Sequence, residues 1–175
     1  MRKARGNDGT PGNLVAKAGI MAALAACLQL AAGFFPGPGH LLSALGTLPI
    51  FLVANARPAT GLASLIAASL VVFFIQPLEA PILLLMTGPL GWALGWARSK
   101  GHNNGRQVLV GGGVLTAGML ILTYLVGIPA FGPLLSATPP ATVVATYLLF
   151  ALTYSLLWVA GLNRFLPRLE KALDI

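Results

Sequence analysis

Residues 107–128 read QVLVGGGVLTAGMLILTYLVGI, twenty-two residues without one charged side chain. As an α-helix rising 1.5 Å per residue the stretch extends about 33 Å. A bilayer's hydrocarbon core is about 30 Å thick. So long an uncharged run, bounded by the polar loop Arg98–Arg106 and the Pro-rich segment 129–140, reads as a transmembrane helix. Five more apolar runs lie around it. Before it come Asn13–Phe35, Leu41–Asn55, Ala59–Gln76 and Ile82–Ala97, and after it Ala141–Leu162. Pro, Gly and charged residues separate them.

Composition agrees. Of 175 residues, 57% are hydrophobic and 9% charged, whereas soluble domains carry about 25% charged residues. So few charges cannot cover a water-facing surface. The basic start (Arg2, Lys3, Arg5) leads into an apolar run too long for a signal-peptide core, so no cleavable leader is expected. Residues 1–12 read as a disordered cytoplasmic tail, and 13–175 as one transmembrane domain. The net charge of +7 would suggest nucleic acid in a soluble protein. Here the cations cluster at the ends of apolar runs, where they set topology and meet anionic lipid, so no nucleic-acid partner is expected.

Leu41–Asn55 is the weakest span. Its fifteen residues reach only about 22 Å, Pro49 removes one backbone donor, and a re-entrant hairpin is the alternative. Charge decides between them. With six spans, all eleven Lys and Arg residues fall on one side, and the positive-inside rule makes that side cytoplasmic. With five, the last two basic clusters would fall outside. The expectation is an all-α protein of the cell membrane with six transmembrane helices and both termini inside.

Ala18, Ala22 and Ala26 recur every fourth residue along the first run, with Gly19, Ala23 and Ala25 beside them. Small residues at this spacing let helix backbones approach closely, either within the chain's own bundle or against another membrane protein. Thr60, Ser64 and Ala68 form a similar face on the third run. Gly91 and Gly95 make a GxxxG, a weak signal in a chain with 21 glycines. Gly111-Gly112-Gly113 has no lysine in phosphate-binding register and reads as a site of close helix approach. Trp92, Trp96 and Trp158 read as interface anchors. Cys27 stands alone and reads as a small hydrophobe.

The polar residues of the outer half are the candidate ligand site: His40, Gln76, Glu79, Tyr124, Thr142, Thr146 and Tyr147, with Gln29, Ser43, Ser136 and Thr138 on the same face. Glu79 is either a solvated loop carboxylate or a counter-charge for a ligand, and His40 is either a helix cap or a contact. The Thr residues of the last run either pack helices or line a pocket. No catalytic set or metal-ligand spacing occurs, so neither enzymatic activity nor a cofactor nor a metal is expected.

The layout and the helix-1 alanines resemble the substrate-binding S components of energy-coupling factor (ECF) vitamin transporters. So does the segment from Asn55-Ala56-Arg57-Pro58 through Gly61 to Thr87-Gly88-Pro89-Leu90-Gly91. The resemblance implies a pocket near the outer face, closed by the loop Pro36–His40 and lined by helices 4 to 6, for a vitamin or similar micronutrient. It also implies as partners an ECF transmembrane scaffold subunit, docked on Ala18, Ala22 and Ala26, and two ATPases. A non-transporting scaffold of the MreD-like, cell-shape kind is the rival. A cavity of several hundred Å³ would favour the transporter and a packed outer face the scaffold.

Overall fold

A computed structural model of the chain describes residues 11–35, 37–132 and 138–173. All regular structure among them is helical. Six helices are long and apolar enough to cross a membrane: α1 (Pro11–Phe34), α2 (Pro38–Ala56), α3 (Pro58–Ile75), α4 (Ala80–Ser99), α5 (Asn104–Val126) and α6 (Pro140–Leu173). The chain is therefore a multi-pass membrane protein. Residues 1–10 of the expected tail lie outside the described residues, and Pro11 and Gly12 already belong to α1.

The second run forms a single candidate span of 19 residues, as the six-span reading expects, and not a re-entrant hairpin, although its helix is interrupted at Gly46. Pro38-Gly39-His40 supplies its first turn, with Pro38 where a missing N–H costs nothing. Gly39 lies so close to α1 that a Cβ there would overlap the Ala31 carbonyl oxygen. Midway, Pro49 can give no N–H to the Leu45 carbonyl. The helix accordingly breaks between Leu45 and Thr47, with Gly46 bonded three residues back to Ser43 O at 3.0 Å.

Proline also explains a wider turn in α4. Pro89 lacks the N–H that the Leu85 carbonyl would accept, and Leu83–Thr87 relaxes to a π-helical turn. The freed Leu85 carbonyl turns toward α5, where only glycine fits: a Cβ on Gly118 would collide with it. α5 ends in a second π-turn, Leu122–Val126. Gly127 closes it at φ 82°, and Ile128 N–H donates to Leu122 O at 3.0 Å.

The close contacts give the directions. Gly111 meets Leu94 while Gly118 meets Leu85, so α4 and α5 are antiparallel. Gly91 meets Thr47 and Gly95 meets Phe51, so α2 and α4 run parallel. The C-terminal ends of α1, α3 and α5, the N-terminal ends of α2, α4 and α6, and the 76–79 turn thus share one end of the bundle, hereafter the Glu79 end. Arg57 and the 100–103 turn share the other, the basic end.

Gly91 and Gly95, weak as a sequence signal, form the central seam. A Cβ on Gly95 would stand 2.6 Å from the Phe51 carbonyl oxygen. Two cores flank the seam. One gathers Ala22, Ala26, Leu30, Leu65, Ala68 and Val72 from α1 and α3 around Ile50 and Leu83. The other gathers Leu115, Met119, Val143, Tyr147 and Leu162 from α5 and α6 around Phe51, Leu90 and Leu94.

α6 differs from expectation in length. Its 34 residues span about 51 Å, well beyond the hydrocarbon core, and it continues past Leu162 to Leu173. Arg164 marks where the sequence becomes polar, not where the helix stops. At the basic end Arg98 Nη1 donates to Asn163 Oδ1 at 2.8 Å, and Asn163 Nδ2 donates to Asn104 Oδ1 at 3.0 Å. These bonds tie α6 to α4 and α5.

Candidate functional site

A buried amide organises the Glu79 end. Gln29 lies within the apolar sequence Leu28-Gln29-Leu30 of α1 and is wholly inaccessible to solvent. An amide in a membrane interior costs several kcal/mol unless it is hydrogen-bonded. Its Nε2 donates to Glu79 Oε2 at 2.9 Å, and its Oε1 accepts from Thr87 Oγ1 at 3.2 Å. The amide orientation follows, since a carboxylate only accepts. Gln29 thereby joins α1, the 76–79 turn and the π-turn of α4. The α2 break lies against it, a Cβ on Gly46 standing 3.9 Å from Gln29 Oε1.

Gln76 joins the same face of α1. Glu79 N–H donates to Gln76 O at 3.0 Å, which folds the turn so that both side chains reach α1. The Gln76 amide occupies the space that a side chain at Gly33 would need, and Gly33 is one turn beyond Gln29. Gln76 Oε1 is buried and has no partner among the described residues, as is Thr47 Oγ1, beside Gly46. Buried polar atoms are nearly always paired, so an unpartnered Gln76 Oε1 in the turn that carries a half-buried carboxylate is informative.

The other expected site residues do not join this cluster. Tyr147 is fully buried, and its hydroxyl shares a 2.8 Å hydrogen bond with Thr123 Oγ1, which also accepts from Ala130 N–H at 3.4 Å. That arrangement locks α6 to the end of α5. Tyr147 also starts an aromatic ladder. Phe131 packs on Tyr147 and Phe150 at 5.6 and 4.8 Å, and the series continues through Tyr154 to Trp158. Tyr124 and Thr142 are exposed and Thr146 is half-buried. Thr153, on the same helix, donates back to Leu149 O at 2.9 Å. His40 is exposed, and its carbonyl accepts from Ser43 Oγ at 3.0 Å. Ser136, and Pro36 of the expected closing loop, lie outside the described residues.

Ala18, Ala22 and Ala26 are buried by the chain itself. They face the small-residue face of α3, where Ser64 Oγ donates to Ala18 O at 3.1 Å. Packing within the bundle accounts for this face. The adjacent face of α1 leaves Gly19, Ala23 and Cys27 exposed, and α3 leaves Ala59, Ala63 and Ala67 exposed. Trp92 is half-buried and donates through Nε1 to Pro58 O at 2.9 Å.

Two hollows stand out, and neither holds an expected site residue. One of about 760 Å³ lies between α2 and α6, among Leu45, Leu48, Tyr154, Leu157, Trp158 and Phe165. The other, of about 350 Å³, lies between α3 and α4, among Leu70, Phe73, Pro81 and Leu84. Both are open grooves with almost wholly apolar linings, which suits acyl chains. The polar chemistry is concentrated elsewhere, at Gln29, Gln76, Glu79 and Thr87.

Sequence reasoning selected Gln76 and Glu79, noted Gln29 only as a neighbour, and passed over Thr87 and Thr123. The signal for Gln29 was present: a lone amide inside an apolar span must have a partner. Comparison with protein-family models, with curated proteins and with solved structures found no match.

Proposed function

We propose that this chain is the substrate-binding membrane subunit of an ECF-type importer, capturing a small micronutrient at the Glu79 end without altering it chemically. The observation that supports this reading best is the buried Gln29 amide, held between Glu79 and Thr87 with the unpartnered Gln76 Oε1 beside it. Polar groups inside a membrane protein are costly and tend to mark ligand or ion sites. A few convergent polar groups in apolar surroundings are how small-ligand sites are built. The positive-inside rule supports placing the basic end in the cytoplasm and the Glu79 end outside. The captured ligand would pass inward within a complex of this chain, a transmembrane scaffold subunit and two ATPases. The exposed Gly19–Ala23–Cys27 face of α1 suits close packing against that scaffold.

A second reading, a non-transporting scaffold of the MreD-like kind, draws support from the closed Tyr147–Thr123 contact and from the apolar linings of both grooves. Purification from native membranes in mild detergent separates the two. The importer reading expects a transmembrane subunit and two ATPases to co-purify with the chain. Recovery of the chain with cell-envelope assembly proteins, and without ATPases, would move the conclusion to the scaffold.

A further inference from the structure

We propose that the ligand taken at the Glu79 end is a small organic cation whose N–H groups are shared between Glu79 and Gln76. The inference rests on the ligand-capture reading above and adds the chemical class of the substrate.

Charge comes first. Glu79 is the only carboxylate whose side chain is described, and its one side-chain partner is a neutral amide. Lys17, Arg57, Arg98, Lys100, Arg106 and Arg164 all belong to the half of the bundle nearer the basic end. His40 shares the Glu79 end but is exposed on α2. Among the described residues, then, a half-buried carboxylate sits at the end that lacks lysine and arginine, and no ion pair reaches it.

Hydrogen-bonding capacity comes second. A carboxylate offers about four acceptor positions, and Gln29 fills one. Gln29 also fixes the carboxylate's orientation, and its own oxygen is taken by Thr87. The remaining acceptors are those of Glu79 and the buried, unpartnered Gln76 Oε1. An ammonium or amidinium group meets both demands, balancing the charge and giving one N–H to each residue. An anion would face the carboxylate, and a neutral ligand would leave the charge without a counterpart.

Four matched probes test this on the protein in phosphatidylcholine nanodiscs, whose zwitterionic lipid avoids non-specific cation binding. The probes are benzylamine, benzyl alcohol, benzoate and benzyltrimethylammonium, read by saturation-transfer NMR titration. Benzylamine is expected to bind about tenfold tighter than benzyl alcohol, and benzoate not at all. Benzyltrimethylammonium keeps the charge but lacks N–H donors, so it should fall between the first two. These comparisons use the unaltered chain and do not depend on a variant folding. Glu79→Gln should bring benzylamine down to the alcohol's affinity, and Gln76→Met should weaken it several-fold. Equal binding of amine and alcohol, unchanged by Glu79→Gln, would overturn the cation assignment. Ligand capture would still stand if Gln29→Leu weakened the alcohol. Absence of binding by all four probes would overturn both.

Discussion

Replacing Gln29 by leucine removes the amide that bridges Glu79 and Thr87 while nearly preserving its volume, and the cost can be worked out from the geometry. Two hydrogen bonds are lost, at 2.9 and 3.2 Å. A bond to a charged group contributes about 1.5–3 kcal/mol in soluble proteins. Interhelical bonds in membranes average nearer 0.6 kcal/mol and reach about 1.7. The membrane scale applies to Thr87. Glu79 is half-buried and can turn partly toward water, which trims its loss, while leucine adds apolar contact. The net destabilisation expected for Gln29→Leu is therefore about 1 kcal/mol. Gln29→Ala adds an unfilled space and should cost about 2–4 kcal/mol. The interaction itself is isolated by a double-mutant cycle of Gln29→Leu with Glu79→Leu, read as equilibrium unfolding by SDS in mixed micelles. Coupling of about 0.5–2 kcal/mol is expected for residues in direct contact. Additivity of the two substitutions within about 0.3–0.5 kcal/mol would show that Gln29 and Glu79 do not interact, and the cluster would lose its centre.

Three further predictions concern the frame that holds the site. Gly95→Leu should disrupt assembly by more than about 2 kcal/mol in the same unfolding assay, because its Cβ has only 2.6 Å to the Phe51 carbonyl oxygen. Gly113→Leu, with no neighbour within 4 Å, should leave stability nearly unchanged, and equal effects would contradict the packing described. Ala22→Leu should destabilise the isolated chain, whereas Ala23→Leu, on the exposed face, should leave it folded and abolish recovery of partner subunits. Loss of partners from a stable Ala22→Leu protein would return the docking surface to the alanine face. In a Cys27→Ser background, cysteines at Gly37 and Glu79 should react with an impermeant maleimide in intact cells, and those at Arg57 and Asn103 should not. Labelling at Asn103 would reverse the orientation.

The six spans were legible because hydrophobicity over about 20 residues is a property of one segment, read without knowing its neighbours. Helix ends were less so. Pro38-Gly39-His40 looks like a loop until Gly39 is seen against Ala31, and Arg164 marks the end of apolar sequence while α6 continues. The faces of helices were harder still. Ala18, Ala22 and Ala26 advertise close packing equally well whether the neighbour is α3 or another protein. Gly91 and Gly95 had their seam hidden by the chain's many other glycines. Glu79 stood out as an isolated acid. Its partners did not, because Gln29 and Thr87 are 50 and 8 residues away, and only the fold sets them at one point.

Ligand capture at the Glu79 end is tested most directly by native mass spectrometry of the protein released from its own membranes, comparing the unaltered chain with Gln29→Leu and Glu79→Gln. The account predicts one small molecule bound per chain, positively charged in solution, and largely lost from both variants while a Gly113→Leu control retains it. A bound metabolite equally abundant in all four proteins, or none in the unaltered chain, would contradict it.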